Sequence, residues 1–183
     1  MLIGVLADTH IPQRLEAIPQ AVFDIFQSVD LILHAGDMVN PRILEGLAQI
    51  APVKAVRGNI HLVDRTIDDT QLPIVERFDL LGHKVILVHG HGSFLRGSLE
   101  RVRYWISQDR DEVNRRIVLF HLRAYPGANL IVFAHSHRSY NRKMGDALLF
   151  NPGAVCYTEG ETPSVGLLTI ERDRIEGRII NLE

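Results

Sequence analysis

Cysteine occurs once in the 183 residues, at Cys156, so no disulfide within the chain can staple the fold and a reducing compartment suits it. The cytoplasm is the expected setting. No apolar run approaches the roughly 20 residues that a membrane-spanning helix requires; the longest, LIGVLA and KVILVH, are strand-sized. The apolar start has no basic flank and runs straight into Asp8, so neither a membrane partner nor a secretory leader is expected. Positive charge is not in excess either: the formal net charge is -2 and the pI about 6.5. That argues against an extended nucleic-acid surface, and a phosphate-bearing partner would have to meet local positive charge. Lysine is scarce, with Lys54, Lys84 and Lys143 against seventeen arginines. Repeats, low-complexity tracts and linkers are missing, and the length suits one domain over 1–183.

What is present is a regular alternation. Leu2 to Ala7 is short, continuous and rich in branched aliphatics, as a strand buried on both faces requires. Ile18, Val22, Ile25 and Phe26 recur at helical spacing, followed by a strand from Asp30 to Ala35, a short helix from Pro41 to Ile50 and a strand from Val53 to Val56. This order predicts a parallel sheet with covering helices. Ile74 to Leu80 and Lys84 to His89 form a hairpin across Leu81, Gly82 and His83. Between Leu99 and Ala124 the apolar residues recur helically, interrupted by the charged stretch Asp109 to Glu112. Strands follow at Leu130 to Ala134, Ala147 to Phe150, Ser164 to Ile170 and Ile175 to Ile180, with a turn at Asp173 and Arg174. The expectation is an α/β fold of two packed sheets with helices outside.

Five short motifs share one placement. Asp8 and His10 follow the first strand, Gly36 and Asp37 the second, and Gly58 and Asn59 the third. His89 and His91 follow KVILV, and His135 and His137 follow LIVF. Loops beyond the carboxyl ends of parallel strands are where α/β sheets bind ligands, so residues far apart in sequence can converge there. Imidazole, carboxylate and an amide carbonyl suit borderline divalent ions, and the lack of paired thiolates argues against a structural zinc site. Seven such donors exceed the needs of one ion. A carboxylate can bridge two, and Asp37, preceded by a glycine that lets the backbone turn, is the candidate bridge.

The ordered set D-x-H, G-D, G-N, H-G-H and H-x-H resembles the calcineurin-like metallophosphoesterase superfamily, and Asn151, Pro152 and Gly153 resemble that family's N-P-G turn. Within it, DTHIPQR is similar to a compact branch of small phosphodiesterases that also includes the retromer subunit of the vacuolar sorting type. The resemblance implies a four-layer α/β/β/α sandwich with two mixed sheets flanked by helices. It implies one metal on Asp8, His10 and His137, another on Asn59, His89 and His135, and Asp37 bridging both. Two divalent transition-metal ions per subunit follow, manganese foremost, with Ni, Co, Zn and Fe as alternatives. The implied reaction is in-line attack by a hydroxide shared between the ions on a small phosphate-ester substrate, a phosphodiester first and a phosphomonoester second. A scaffold for protein partners on the same fold is the reading from another class.

Two departures from the family pattern stand out. Many members carry His directly after the motif Asn, where it assists the leaving group; here Ile60 occupies that position and His61 is the nearest substitute acid. Ala134 stands where the family usually has Gly. Asp37, Asn59, His61 and His91 are the candidate catalytic set, with His91 supporting the site or meeting substrate. Arg14, Arg57 and Arg138 flank motifs and are the candidate phosphate ligands. His34 is expected to be a satisfied core residue or a support for the site, His83 and His121 to be structural or exposed, and Cys156 simply buried. The helical insertion around 92–128, with Arg96, Arg101, Arg103 and Trp105, offers a cap over the site or the interface of a homo-oligomer.

Overall fold

A computed structural model describes residues 1–59, 71–90 and 109–182 of the chain. The aliphatic runs form strands as their composition dictates: β1 (Leu2–Leu6), β2 (Leu31–His34), β3 (Val53–Ala55), β4 (Val75–Leu80), β5 (His83–Val88), β6 (Leu130–Val132), β7 (Tyr140–Met144), β8 (Ala147–Asn151), β9 (Ser164–Ile170) and β10 (Ile175–Asn181). Helices α1 (Gln20–Phe26), α2 (Ile43–Ala48) and α3 (Arg110–Ala124) accompany them. One sheet has the order β10-β9-β1-β2-β3 and the other β4-β5-β6-β8-β7. In the first, β1, β2 and β3 are parallel while β9 and β10 run antiparallel; in the second, β5, β6 and β8 are parallel, flanked by antiparallel β4 and β7.

The period of two along each strand separates three apolar layers. Ile3, Val5, Leu31 and Leu33 meet Val85, Leu87, Leu130 and Val132 between the sheets. The alternate residues Leu6 and Ile32 pack outward on Val22, Phe26 and Leu47 of α1 and α2. Ile86, Ile131 and Leu149 pack outward on Val113, Ile117 and Val118 of α3. The result is the expected four-layer α/β/β/α sandwich.

The structure revises several element boundaries. Helix α1 starts after Pro19 rather than at Ile18, and α2 is confined to Ile43–Ala48. The charged stretch read as an interruption is the start of α3: the Asp109 carboxylate accepts the backbone N–H groups of Asp111 (3.0 Å) and Glu112 (3.1 Å). That is an N-cap, and the acidic residues following it suit the positive end of the helix dipole. Strand β7 has no counterpart in the sequence reading, because Tyr-Asn-Arg-Lys-Met shows no apolar alternation; it exists as an edge strand paired to β8. The expected helix over 99–108 and the insertion residues 92–108 lie outside the described residues.

Candidate metal centre

Strands β1, β2 and β3 end on the same side as β5, β6 and β8, so both sheets aim their carboxyl ends at one place. The first rim is laced together by its backbone: Asp8 N–H donates to Gly36 O and His10 N–H to Asp37 O, both at 3.0 Å. Across the gap, His89 Nε2 lies 3.4 Å from Asp37 Oδ2 and His137 Nε2 lies 3.4 Å from Asp8 Oδ1. His10 Nε2 stands 3.9 Å from both Asp8 Oδ1 and Asp37 Oδ2. The rings of His10 and His137, and those of His89 and His135, have centroids 5.3 Å apart. His135 joins from the second sheet, its N–H donating to Asp8 Oδ2 at 3.4 Å.

The backbone here is held in an unusual shape. Asp8, His10, Asp37, His135 and His137 all have φ between 47 and 85°, the left-handed region that non-glycine residues rarely occupy. Each such residue costs on the order of 1 kcal/mol or more, a cost borne where the surrounding structure fixes the conformation. Glycines make the close approaches. A Cβ on Gly58 would overlap the Asp37 carboxylate, and one on Gly36, at φ 98°, would stand 2.9 Å from the His89 ring. The neighbouring Asn59 N–H donates to Asp37 Oδ1 at 2.7 Å and fixes that carboxylate's rotation.

Burial and charge compete strongly at these groups. Burial favours the neutral form of every one of them, but the facing opposite charges prevail in two pairs. The Asp37 carboxylate raises His89 to about 9, and the Asp8 carboxylate raises His137 to about 10. The same imidazoles hold both carboxyls below their ordinary range despite burial. Burial wins elsewhere: His10 falls below its usual value, and His135 drops to about 4 under burial and the charge on His89.

These residues fit divalent cations. Among the described residues, Asp8 Oδ1, His10 Nε2 and His89 Nε2 are buried without a hydrogen-bond partner, a costly condition that a positive ion among them would relieve. Donor atoms of Asp8, Asp37 and His89 lie within 4.8 Å of one another, and so do those of His10, His137 and Cys156. Two supporting contacts leave Nε2 pointing inward: His89 Nδ1 meets Ala35 O at 2.7 Å, and His137 Nδ1 meets Thr158 Oγ1 at 2.7 Å.

The calcineurin-like phosphoesterase superfamily domain matches residues 1–173. The chain belongs to the calcineurin-like phosphoesterase superfamily. It is 37% identical over 180 residues to a “probable metallophosphoesterase” of Methanothermobacter thermautotrophicus, covering 98% of this chain and 92% of that one. A phosphodiesterase of Methanocaldococcus jannaschii is 23% identical, with 94% and 95% covered. Among solved structures, Vps29 of Entamoeba histolytica complexed with zinc shares the fold with a TM-score of 0.70 at 21% identity, covering 99% of each chain. Membership in this phosphoesterase superfamily brings metal-dependent hydrolysis of phosphate esters as the coarse class of activity.

Within this calcineurin-like frame the remaining expected residues separate. Arg14 lies at the rim, its Nη1 donating to Cys156 Sγ at 3.9 Å. Arg138 is engaged elsewhere, its Nε 2.6 Å from Asp111 Oδ1 and its Nη1 3.0 Å from Glu161 Oε1. Arg57, just beyond β3, donates its backbone N–H to Pro73 O at 3.0 Å. His61, His91 and Ile60 lie outside the described residues. His34 is structural: Gly36 N–H donates to its Nδ1 at 3.2 Å, its Nε2 meets Thr9 Oγ1 at 3.3 Å, and burial lowers it to about 4.

Other contributors were invisible in the sequence reading. Thr158 and the Ala35 carbonyl are two. A third is a buried amide cluster beneath the His135–His137 loop, in which Ser136 Oγ donates to Asn114 Oδ1 at 2.5 Å and Asn151 Nδ2 donates to Ser136 Oγ at 3.1 Å. Asn114 Nδ2 then donates to Arg138 O at 3.0 Å, so α3 braces the loop from below. Asn114 and Thr158 belong to no motif, and only the fold brings them here.

Proposed function

We infer that this chain hydrolyses a phosphate ester, a phosphodiester in the first instance, with two divalent cations held between the ends of its two sheets. The observation that carries the reading is the placement of Asp37 Oδ2 between His89 and His10, with Asp8 alongside and unpaired buried donor atoms facing the same space. Asp8, His10 and His137 would hold one cation, Asn59, His89 and His135 the other, and Asp37 both. When bound, such cations supply Lewis acidity that eases deprotonation of water near neutral pH and screens charge on phosphoryl oxygens.

The chain's own groups do the orienting. Asp8 and Asp37 are kept ionised, the Ala35 carbonyl accepts from His89 Nδ1, the Thr158 hydroxyl orients the His137 ring, and Asn59 N–H locks the Asp37 carboxylate. Arg14, whose Nη1 donates to Cys156 Sγ, would steer the phosphate. His61 is the candidate for protonating the leaving group, and His91 for supporting the site or meeting substrate. The preference for diesters is supported by the phosphodiesterase among the relatives. Manganese is the first metal to try.

The test is hydrolysis of paired chromogenic phosphodiester and phosphomonoester substrates by metal-stripped protein, titrated with Mn2+, Ni2+, Co2+, Zn2+ and Mg2+, beside Asp37→Asn. Metal-dependent turnover lost in the variant supports the reading, and the diester to monoester ratio decides the substrate class. Two bound ions without turnover would overturn it in favour of a partner-binding role on the same fold.

A further inference from the structure

We propose that Cys156 supplies a sulfur donor to the cation held by Asp8, His10 and His137, making that position softer than its counterpart. The inference deepens the two-cation reading and rests on it. A thiol next to two imidazoles is an unusual addition to a set otherwise made of nitrogen and oxygen, and the placement has structural causes.

Cys156 follows the N-P-G turn and is 1% exposed. Its backbone is tied to the strand that delivers Asp8: Val155 N–H donates to Ala7 O at 3.1 Å and Cys156 N–H to Asp8 O at 3.4 Å. The sulfur therefore moves with Asp8 and His10. Its Sγ and one donor nitrogen from each of His10 and His137 lie within 4.8 Å of one another. His10, at 4% exposed, keeps Nε2 buried with no hydrogen-bond partner among the described residues, a second sign that something positive belongs among these atoms.

Bond lengths of about 2.3 Å to sulfur and about 2.0 to 2.1 Å to nitrogen place neighbouring donors of one ion on the order of 3 to 3.5 Å apart. Modest side-chain rotation closes the observed spacing to that value. On binding, the thiol gives its proton to solvent and the sulfur becomes an anionic ligand. Thiolate favours Zn2+, Co2+ and Fe2+ over Mn2+ and Mg2+, whereas the Asn59, His89 and His135 position carries no sulfur. The two positions should therefore differ in metal preference.

Because Cys156 is the chain's one cysteine, a thiolate signal from the metal-loaded protein reports on it. The experiment loads metal-stripped full-length protein with Co2+ and records the visible ligand-field bands and the near-ultraviolet thiolate-to-cobalt band. It is repeated with Cys156→Ser. X-ray absorption of the native zinc-loaded protein gives the same information without a variant, as a sulfur neighbour at about 2.3 Å. The expected result is a thiolate band and a sulfur neighbour in the native protein. In Cys156→Ser the thiolate band disappears while ligand-field bands remain, and Zn2+ affinity falls by about 10- to 100-fold with little change for Mn2+.

Ligand-field bands without a thiolate band, or a zinc shell of nitrogen and oxygen alone, would overturn the proposal and leave the two-cation reading standing. Failure of the native protein to bind Co2+ or Zn2+ at all would overturn both.

Discussion

The two ends of the sandwich solve the same backbone problem with different residues. At the end opposite the candidate centre, chain reversals precede β5, β6 and β8, and left-handed geometry falls mainly on Gly82, Gly127 and Gly145, where an added Cβ would meet nothing within 4 Å. At the centre it falls on Asp8, His10 and Asp37, which are buried, and on His135 and His137, which are partly buried. Where only a turn is needed, glycine provides it at little cost. Where a carboxylate or imidazole must turn back toward a point between the sheets, the side chain cannot be given up and the strain is retained.

The glycines that remain at the centre yield the sharpest contrast. Gly58→Ala puts a methyl group where the Asp37 carboxylate sits. Metal-dependent hydrolysis should fall by more than about 100-fold, more than for loss of an outer contact to a ligand. Gly145→Ala, at the opposite end, should cost about 1 kcal/mol in stability because of its positive φ and leave the rate unchanged. Initial rates and urea unfolding of both variants check this, and equal loss of activity in the two would break the comparison.

A smaller effect is expected at Thr158. Thr158→Val removes the hydroxyl that meets His137 Nδ1 at 2.7 Å while keeping the shape. Metal affinity should drop by about 10- to 100-fold, read by competition with a chromogenic chelator. The pH dependence adds a further dimension. In the metal-free protein His89 and His137 hold protons up to about 9 and about 10, so a cation must displace them. Apparent affinity should rise with pH up to about 9 to 10, with up to three protons released per protein, two from the imidazoles and one from the Cys156 thiol, measurable by calorimetry in buffers of different ionisation enthalpy. The metal-free fold should show the opposite trend from these pairs: their stabilisation is complete below about 6.5 and lost as the pH passes through about 9 to 10.

The contrast between the ends also explains what could be read in the sequence. The apolar runs of β1, β2, β5 and β6 announce buried strands, and the donors directly beyond them announce a site, because strand ends converge whatever the loops do. Strand β7 was hidden because its polar residues carry no periodic signal and its pairing with β8 alone defines it. Thr158, the Ala35 carbonyl, Asn114 and the approach of Cys156 to His10 were hidden for a related reason. Each depends on a contact between distant segments, and nothing in the residue itself marks it. Arg138 illustrates the converse: its position after H-S-H suggests phosphate, but Asp111 of α3 and Glu161 hold its guanidinium.

The smallest expected effect concerns the one non-glycine residue that departs from the pattern at the far end. Leu81 has φ 52° and is 48% exposed, beside Gly82 at φ 91°, in the two-residue loop between Leu80 and His83, which pair directly. Two positive φ values in a two-residue hairpin favour Asn-Gly, and a leucine there bears steric strain without a site to justify it. Leu81→Asn should raise stability by about 0.5 to 1 kcal/mol and leave both metal affinity and hydrolysis unchanged. A midpoint shift in denaturant unfolding measures it. A stabilised variant with intact activity would mean that left-handed strain at this end is expendable and that at the centre it is retained for the donors it positions; a destabilised one would mean that Leu81 contributes packing that outweighs its backbone strain.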